Sequence, residues 1–152
     1  MLLDKQLLSA MLLSAAGIWR ENLDRLSDID SRFGDGDHGV TIGKIAGLFT
    51  ARVEAWEDES IKDLLSGLGR DIMEVGGGSA GPLYGSLVGG LAEPLAGQAA
   101  IDGPLLKLML QASLDEMCAL TTARVGAKTM MDALIPAVRA ALAAPDEVPA
   151  AL

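Results

Sequence analysis

Apolar residues recur every three to four positions along most of this chain, which is the spacing of one helix face rather than the alternation of a strand. A first helix is expected from about Asp4 to Asp24, with Leu8, Leu12, Ala15, Trp19 and Leu23 in one stripe. A second runs from about Gly39 to Glu57 and turns Ile42, Ile45, Phe49, Val53 and Trp56 inward. Ser60 caps a third, with Asp63 as capping-box partner and a stripe of Ile61, Leu64, Leu68, Ile72 and Val75. Pro82, a favoured first helical residue, opens a fourth that buries Leu83, Leu87, Leu91 and Leu95. Gly85 and Gly89, four apart on it, permit a close helix contact. Asp102 caps a fifth, with Pro104 in its first turn and Leu105, Leu108, Met109 and Ala112 inward. A sixth starts near Thr129 and carries Met130, Leu134, Ile135, Val138 and Leu142, with a kink expected at Pro136. Residues 143–149 read as a linker or frayed end. No segment shows strand alternation, and the connections are mostly short, so neighbouring helices run antiparallel. The prediction is one all-α domain over residues 1–152, an up-and-down bundle or barrel of six helices.

Composition narrows the function. The length of 152 residues fits one domain. Half the residues are apolar but only 3% are aromatic, so Ala, Leu and Gly do the packing, as suits close-packed helices. A formal net charge of −9 argues against a nucleic-acid surface. The single cysteine, Cys118, excludes an internal disulfide and fits a reducing cytoplasm; its apolar helical surroundings predict a buried structural thiol. No apolar stretch approaches the roughly 20 residues of a membrane span. Leu7 to Trp19 is amphipathic and flanked by charges, unlike an export signal.

The candidate chemistry lies in three glycine-punctuated turns. The first joins the first two helices and holds Asp30, Asp35 and Asp37 in Asp30-Ser31-Arg32-Phe33-Gly34-Asp35-Gly36-Asp37-His38-Gly39. With no base between Asp35 and Asp37, these carboxylates repel one another, which a hard cation such as Mg²⁺ or Ca²⁺ would relieve. A solvated acidic turn is the alternative, since Asp and Gly dominate turns in any case. An EF-hand is excluded, because the twelfth position counted from Asp35 is Ala46 rather than Glu. The second turn, Gly76-Gly77-Gly78-Ser79-Ala80-Gly81-Pro82, directly precedes a helix. Its amides and the helix dipole suit a phosphate, and a flexible connector is the alternative. The third, Gly126-Ala127-Lys128-Thr129-Met130-Met131-Asp132, lacks P-loop spacing; Lys128 could neutralise a phosphate or stay solvated, and Thr129 could cap a helix. His38, the one histidine, either contacts the ligand or begins the second helix.

Three motifs in this order resemble the nucleotide-binding L subunit or L domain of dihydroxyacetone kinases. They are Asp30-x₄-Gly34-Asp35-Gly36-Asp37-His38-Gly39, then Gly77-Gly78-Ser79-Ala80-Gly81-Pro82-Leu83-Tyr84-Gly85, then Gly126-x-Lys128-Thr129-Met130-x-Asp132. The resemblance spans nearly the whole chain. It implies an antiparallel helical barrel, eight helices in the full family fold, with ADP or ATP at one end. It implies two Mg²⁺ ions on Asp30, Asp35 and Asp37, and a nucleotide lined by His38, Gly39, Val40, Thr41, Gly78, Ser79, Ala80 and Met130. It implies phosphoryl transfer to dihydroxyacetone, or a related small ketose, held covalently on a separate K-type subunit. The donor it implies is either exchanging ATP or a phosphohistidine protein fed from phosphoenolpyruvate.

Departures from the pattern fall at three places. Ser79 and Ala80 stand in the reverse of the usual order, and Ala127 and Thr121 stand where the family often has Asp and Gly. The family's last two helices have no counterpart expected within residues 1–152, which fits a truncated chain, one with a further segment, or a degenerate homologue. If residues 1–152 are the whole domain, the barrel is open along one side, and self-association, as in a homodimer, or weak nucleotide retention is expected. Rival readings are the nucleotide domain of a fatty acid kinase-like system, a non-catalytic module that keeps ADP and Mg²⁺, and a plain helical scaffold.

Overall fold

The computed structural model describes residues 2–146. Seven helices carry it: α1 (Lys5–Glu21), α2 (Leu23–Asp30), α3 (His38–Glu54), α4 (Ile61–Met73), α5 (Ala80–Gly90), α6 (Gly103–Leu120) and α7 (Met131–Ala143). Two short strands, β1 (Leu3–Asp4) and β2 (Ala100–Ile101), pair antiparallel and tie the start of the chain to the entry of α6. Two residues apiece are too few to show as alternation in the sequence.

Helices α1 and α2 both pack on α3, and from there each helix packs on the next: α3 on α4, α4 on α5, α5 on α6 and α6 on α7. The all-α architecture is as expected. The main core lies among α1, α3 and α4, around Ile42, Ile45, Leu64, Leu65, Leu68 and Ile72, all essentially inaccessible. A second cluster, Leu114, Met117, Met131, Ile135 and Val138, joins α6 to α7. The α4–α5 contact is backbone on backbone. A Cβ at Gly69 would lie 2.7 Å from Gly89 Cα, and one at Gly85 2.8 Å from Gly69 O, so the Gly85/Gly89 spacing is used as the sequence predicts. Arg52 on α3 and Asp71 on α4 add a half-exposed ion pair at 2.6 Å.

Several expectations about the elements are corrected. The single first helix is two, because Asn22 leaves helical geometry (φ −116°, ψ 10°) and its side-chain amide donates to Ile18 O at 2.8 Å. Asn competes with the backbone for such bonds and so ends helices. The chain then resumes as α2 with Leu23 and Leu26 half-buried, which carries Asp30 to the last residue of a helix rather than into the loop. The second helix stops at Glu54, and buried Trp56 follows it with its indole N–H donating to Glu59 O at 2.8 Å. The fourth begins at Ala80, two residues before Pro82, and ends at Gly90; Leu91 and Leu95 pack from the segment beyond. Cys118 is exposed, because Met117 takes the inward position on that turn of α6, and Leu108 is 59% exposed for the same reason beside buried Met109. Helix α7 contains Pro136, the position at which a kink is expected, inside its span. Beyond it, Lys107 Nζ donates to Ala144 O and Asp146 Oδ1, both at 2.6 Å, holding down the start of the expected linker; residues 147–149 of that linker lie outside the described residues.

Asp102 and Ser60 cap as predicted, accepting from Leu105 N at 2.9 Å and Asp63 N at 3.1 Å. These caps and the β pair sit at one end of the bundle. The α2–α3, α4–α5 and α6–α7 loops sit at the other.

Candidate functional site

The three loops enclose a cavity of about 490 Å³, a size suited to a cofactor or nucleotide. Its walls include Asp30, Asp35, Asp37 and His38 from the first loop, and Gly77, Gly78, Ser79 and Ala80 from the second. Thr129 and Met130 come from the third, with Leu83 and Tyr84 on α5.

One oxygen from each of Asp30, Asp35 and Asp37 lies within 4.8 Å of the others. The loop geometry produces this. Phe33 N and Gly34 N donate to Asp30 O at 2.9 and 2.7 Å, which turns the chain back at the end of α2. Gly36, at φ +78°, then donates its N–H to Asp30 Oδ2 at 2.9 Å. Gly34 leaves room for the Asp30 carboxylate, since a Cβ there would lie 2.5 Å from Oδ1. Asp30 stands at the C-terminus of α2, where the helix dipole disfavours an anion. Asp37 occupies the N-cap of α3, where the dipole favours one. Asp30 is half-buried, while Asp35 and Asp37 are exposed. Three all-oxygen donors at this separation, one of them against the dipole, suit a hard divalent cation.

Helix α5 opens onto the cavity with its first turn unfinished. Ser79 at its N-cap makes no side-chain capping bond, and among the described residues no backbone acceptor meets the amides of Ala80 and Gly81. Gly77 and Gly78, at φ +129° and +75°, shape the turn that leads in. The space where a Cβ of Gly77 would stand is taken by the Thr41 hydroxyl. Free amides at a helix N-terminus facing a water-accessible cavity have the donors and dipole that suit an anion.

The α7 end is the opposite case. Met131 N donates to Thr129 Oγ1 at 3.2 Å, Asp132 N to Thr129 O at 3.0 Å, and Ala133 N and Leu134 N to Met130 O at 3.1 and 3.0 Å. The Asp132 carboxylate accepts from Gly126 N at 2.5 Å and Thr129 N at 2.8 Å, and these amides hold its acid below the usual carboxylate range.

Of the residues assigned to the nucleotide from sequence, the structure brings His38, Gly78, Ser79, Ala80 and Met130 to the cavity wall, with the three aspartates. Gly39, Val40 and Thr41 stand off it. Gly39 is buried against Leu23 O and donates to Ser27 Oγ at 3.2 Å; Val40 is 59% exposed; Thr41 is buried beneath Gly77. Lys128, in left-handed geometry at φ +59°, is exposed and also off the wall. Sequence reasoning missed Leu83 and Tyr84 as lining residues. Tyr84 packs edge-on to Trp19 (6.0 Å between centroids), and Trp19 edge-on to Phe49 (5.0 Å). The sequence carries no local signal for this: Tyr84 stands at the wall in contact with Trp19 of α1, which in turn packs on Phe49 of α3. Burial pushes the Tyr84 hydroxyl above its ordinary pKa.

Comparison with known proteins supplies the family. Residues 32–152 match the DAK2 domain, and the chain belongs to that family. It is 29% identical to the Listeria innocua PEP-dependent dihydroxyacetone kinase 1, ADP-binding subunit DhaL, over 80% of this chain and 61% of that protein. It is 26% identical to the Escherichia coli PEP-dependent dihydroxyacetone kinase, ADP-binding subunit DhaL, over 80% of this chain and 58% of that one. It is 34% identical to the Bos taurus triokinase/FMN cyclase over 73% of this chain and 19% of that protein. The chain thus spans about three-fifths of the bacterial subunits it matches. No described helix is long and apolar enough to cross a membrane.

Proposed function

We propose that this DAK2-domain chain binds ADP or ATP with Mg²⁺ at the three-loop end and is the nucleotide-carrying part of a cytoplasmic dihydroxyacetone kinase. The observation that carries the reading is the convergence, on one cavity, of three carboxylates within 4.8 Å of one another and a helix N-terminus with free amides. One feature alone would be a common surface motif. Together they supply what a metal–polyphosphate needs, oxygen donors for the cation and N–H donors for the anion.

Asp30, Asp35 and Asp37 would hold Mg²⁺, two ions by the family resemblance. When bound, the metal would offset the charge on the phosphate oxygens during transfer. The Gly78–Ala80 turn and the amides of Ala80 and Gly81 hold phosphate at the head of α5. The half-buried side chains of Leu83, Tyr84 and Met130 give the cavity an apolar wall for the less charged part of the nucleotide. His38, on the cavity wall next to Asp37, would offer a further hydrogen-bonding group. Catalysis by such a chain is positioning and electrostatics. The acceptor is dihydroxyacetone or a related small ketose on a K-type partner subunit. The bacterial relatives named as PEP-dependent ADP-binding subunits support a donor route through a phosphohistidine protein over free exchange of ATP.

The test is to mix the protein with a K-type subunit and dihydroxyacetone, and measure dihydroxyacetone phosphate with ATP in one arm and a phosphoenolpyruvate-fed phosphohistidine protein in the other. Product in either arm supports the reading and identifies the donor. No product in both arms, from a chain that binds Mg–ADP, would make it a non-catalytic nucleotide module.

A further inference from the structure

The third loop contributes Thr129 and Met130 to the cavity, yet the amides of Thr129 and of Met131 to Leu134 already have acceptors, so the first turn of α7 itself offers a ligand no free backbone donor. What the loop needs is a fixed shape. It runs from Thr121 to Met130, is largely exposed, and contains a non-glycine residue, Lys128, at φ +59°. An exposed segment of ten residues without regular structure is a mobile one unless something anchors it.

One side chain supplies the anchor. The two Asp132 oxygens reach back across the loop, one to Gly126 N and the other to Thr129 N. They fasten both ends of the segment containing Lys128. The neighbouring bonds are shorter in reach: Ala127 N donates to Arg124 O at 3.0 Å, and Arg124 donates to Thr122 O and Ala123 O at 3.0 and 3.2 Å. Among the described residues, the Asp132 carboxylate makes the one hydrogen bond that ties Gly126, in the middle of the loop, to α7; Thr129 at the loop's end is held to α7 by its own bonds as well. Asp132 itself does not line the cavity.

We infer that Asp132 is a positioning residue for the nucleotide: it braces the 126–130 segment so that Thr129 and Met130 present a preformed wall, and it raises nucleotide affinity without contacting the ligand. The inference rests on the proposed Mg–nucleotide site. A preformed wall removes the ordering cost that a loose loop would add to binding. Removing the brace therefore weakens nucleotide binding but leaves the carboxylate cluster on the other side of the cavity as it was.

The experiment uses Asp132→Asn and Asp132→Glu alongside the wild type. Three quantities are read: calorimetric affinity for ADP with Mg²⁺, affinity for Mn²⁺ alone by electron paramagnetic resonance, and amide exchange at Gly126 and Thr129 by NMR. Asp132→Asn is expected to weaken ADP about tenfold, with partial rescue in Asp132→Glu, while Mn²⁺ affinity stays constant. Exchange at Gly126 and Thr129 is expected to quicken about tenfold. Equal loss of ADP and Mn²⁺ affinity would mean general damage and overturn the inference, as would unchanged ADP affinity with faster exchange. If the wild type binds no ADP, the proposed function fails on its own. The brace is then decided by exchange: quicker in Asp132→Asn supports it, unchanged removes it.

Discussion

Helices α5 and α7 begin at the same cavity, and their first turns are completed in opposite ways. At α5 the N-cap Ser79 makes no capping bond, Pro82 brings no N–H, and the amides of Ala80 and Gly81 are left to whatever enters. At α7, Thr129 and Met130 accept from all four first-turn amides, and Asp132 ties the preceding loop down. An unfinished helix end inside a protein costs stability unless solvent or a ligand completes it. The difference therefore separates an end whose amides are open to an anion, the premise of the proposed function, from one whose amides are all engaged. The acidic first loop complements the former: it gathers negative charge where α2 ends and α3 begins, opposite the positive end of α5.

The comparison breaks most readily through the first loop. Asp35→Ala removes one of three oxygens from the cluster and is expected to weaken Mg²⁺-dependent ADP binding about a hundredfold, as loss of a metal-site group commonly does. Calorimetry would show it, and an unchanged affinity would mean that the cluster is an inert acidic turn. Gly77→Ala attacks the α5 side directly. Its φ of +129° is strained for a side chain, and its Cβ would run into the Thr41 hydroxyl. The turn should shift and ADP affinity fall about tenfold, a smaller loss because the cation site survives.

A paired substitution sharpens the contrast without touching the metal. Thr129→Ala deletes a capping acceptor and should lower unfolding free energy by about 1 kcal/mol. Ser79→Ala deletes a hydroxyl that caps nothing and should stay within about 0.5 kcal/mol of wild type in denaturant unfolding. The reverse order would contradict the assignment of a finished and an unfinished end. The smallest effect is in pH. The folded-state pKa of Asp132 is depressed by its amide partners, so its bracing bonds stabilise the fold above the ordinary aspartate pKa and are lost as pH falls through the depressed value. A carboxyl-carbon NMR titration should place the Asp132 midpoint below that of a free aspartate; a midpoint at or above it would remove the brace.

The fold class was open to reading because long amphipathic periods survive in Ile42 to Val53 and Ile61 to Ile72, where burial decides each position. The break at Asn22 was not, because the apolar spacing continues through Leu23 and Leu26 and hides a one-residue change of backbone angle. Asp30, Asp35 and Asp37 stood out as three like charges within eight residues, a local conflict that a cation or solvent can relieve. The cavity wall was less legible. Tyr84 carries no local anomaly, and its place depends on the stacking of Trp19 and Phe49 from other helices. Gly39, Val40 and Thr41 share a motif with His38 but turn away from the cavity as α3 winds, since a helix presents only one residue in three or four to a given side. The Asp132 bonds depend on Gly126 and Lys128 adopting left-handed geometry, which no periodicity records.

The most direct test of the central claim is calorimetric titration of ADP into this protein with and without Mg²⁺. The account predicts saturable binding at one nucleotide per chain that depends on Mg²⁺. Binding that ignores Mg²⁺, or no binding in its presence, would contradict the assignment of the three-loop end as a metal–nucleotide site.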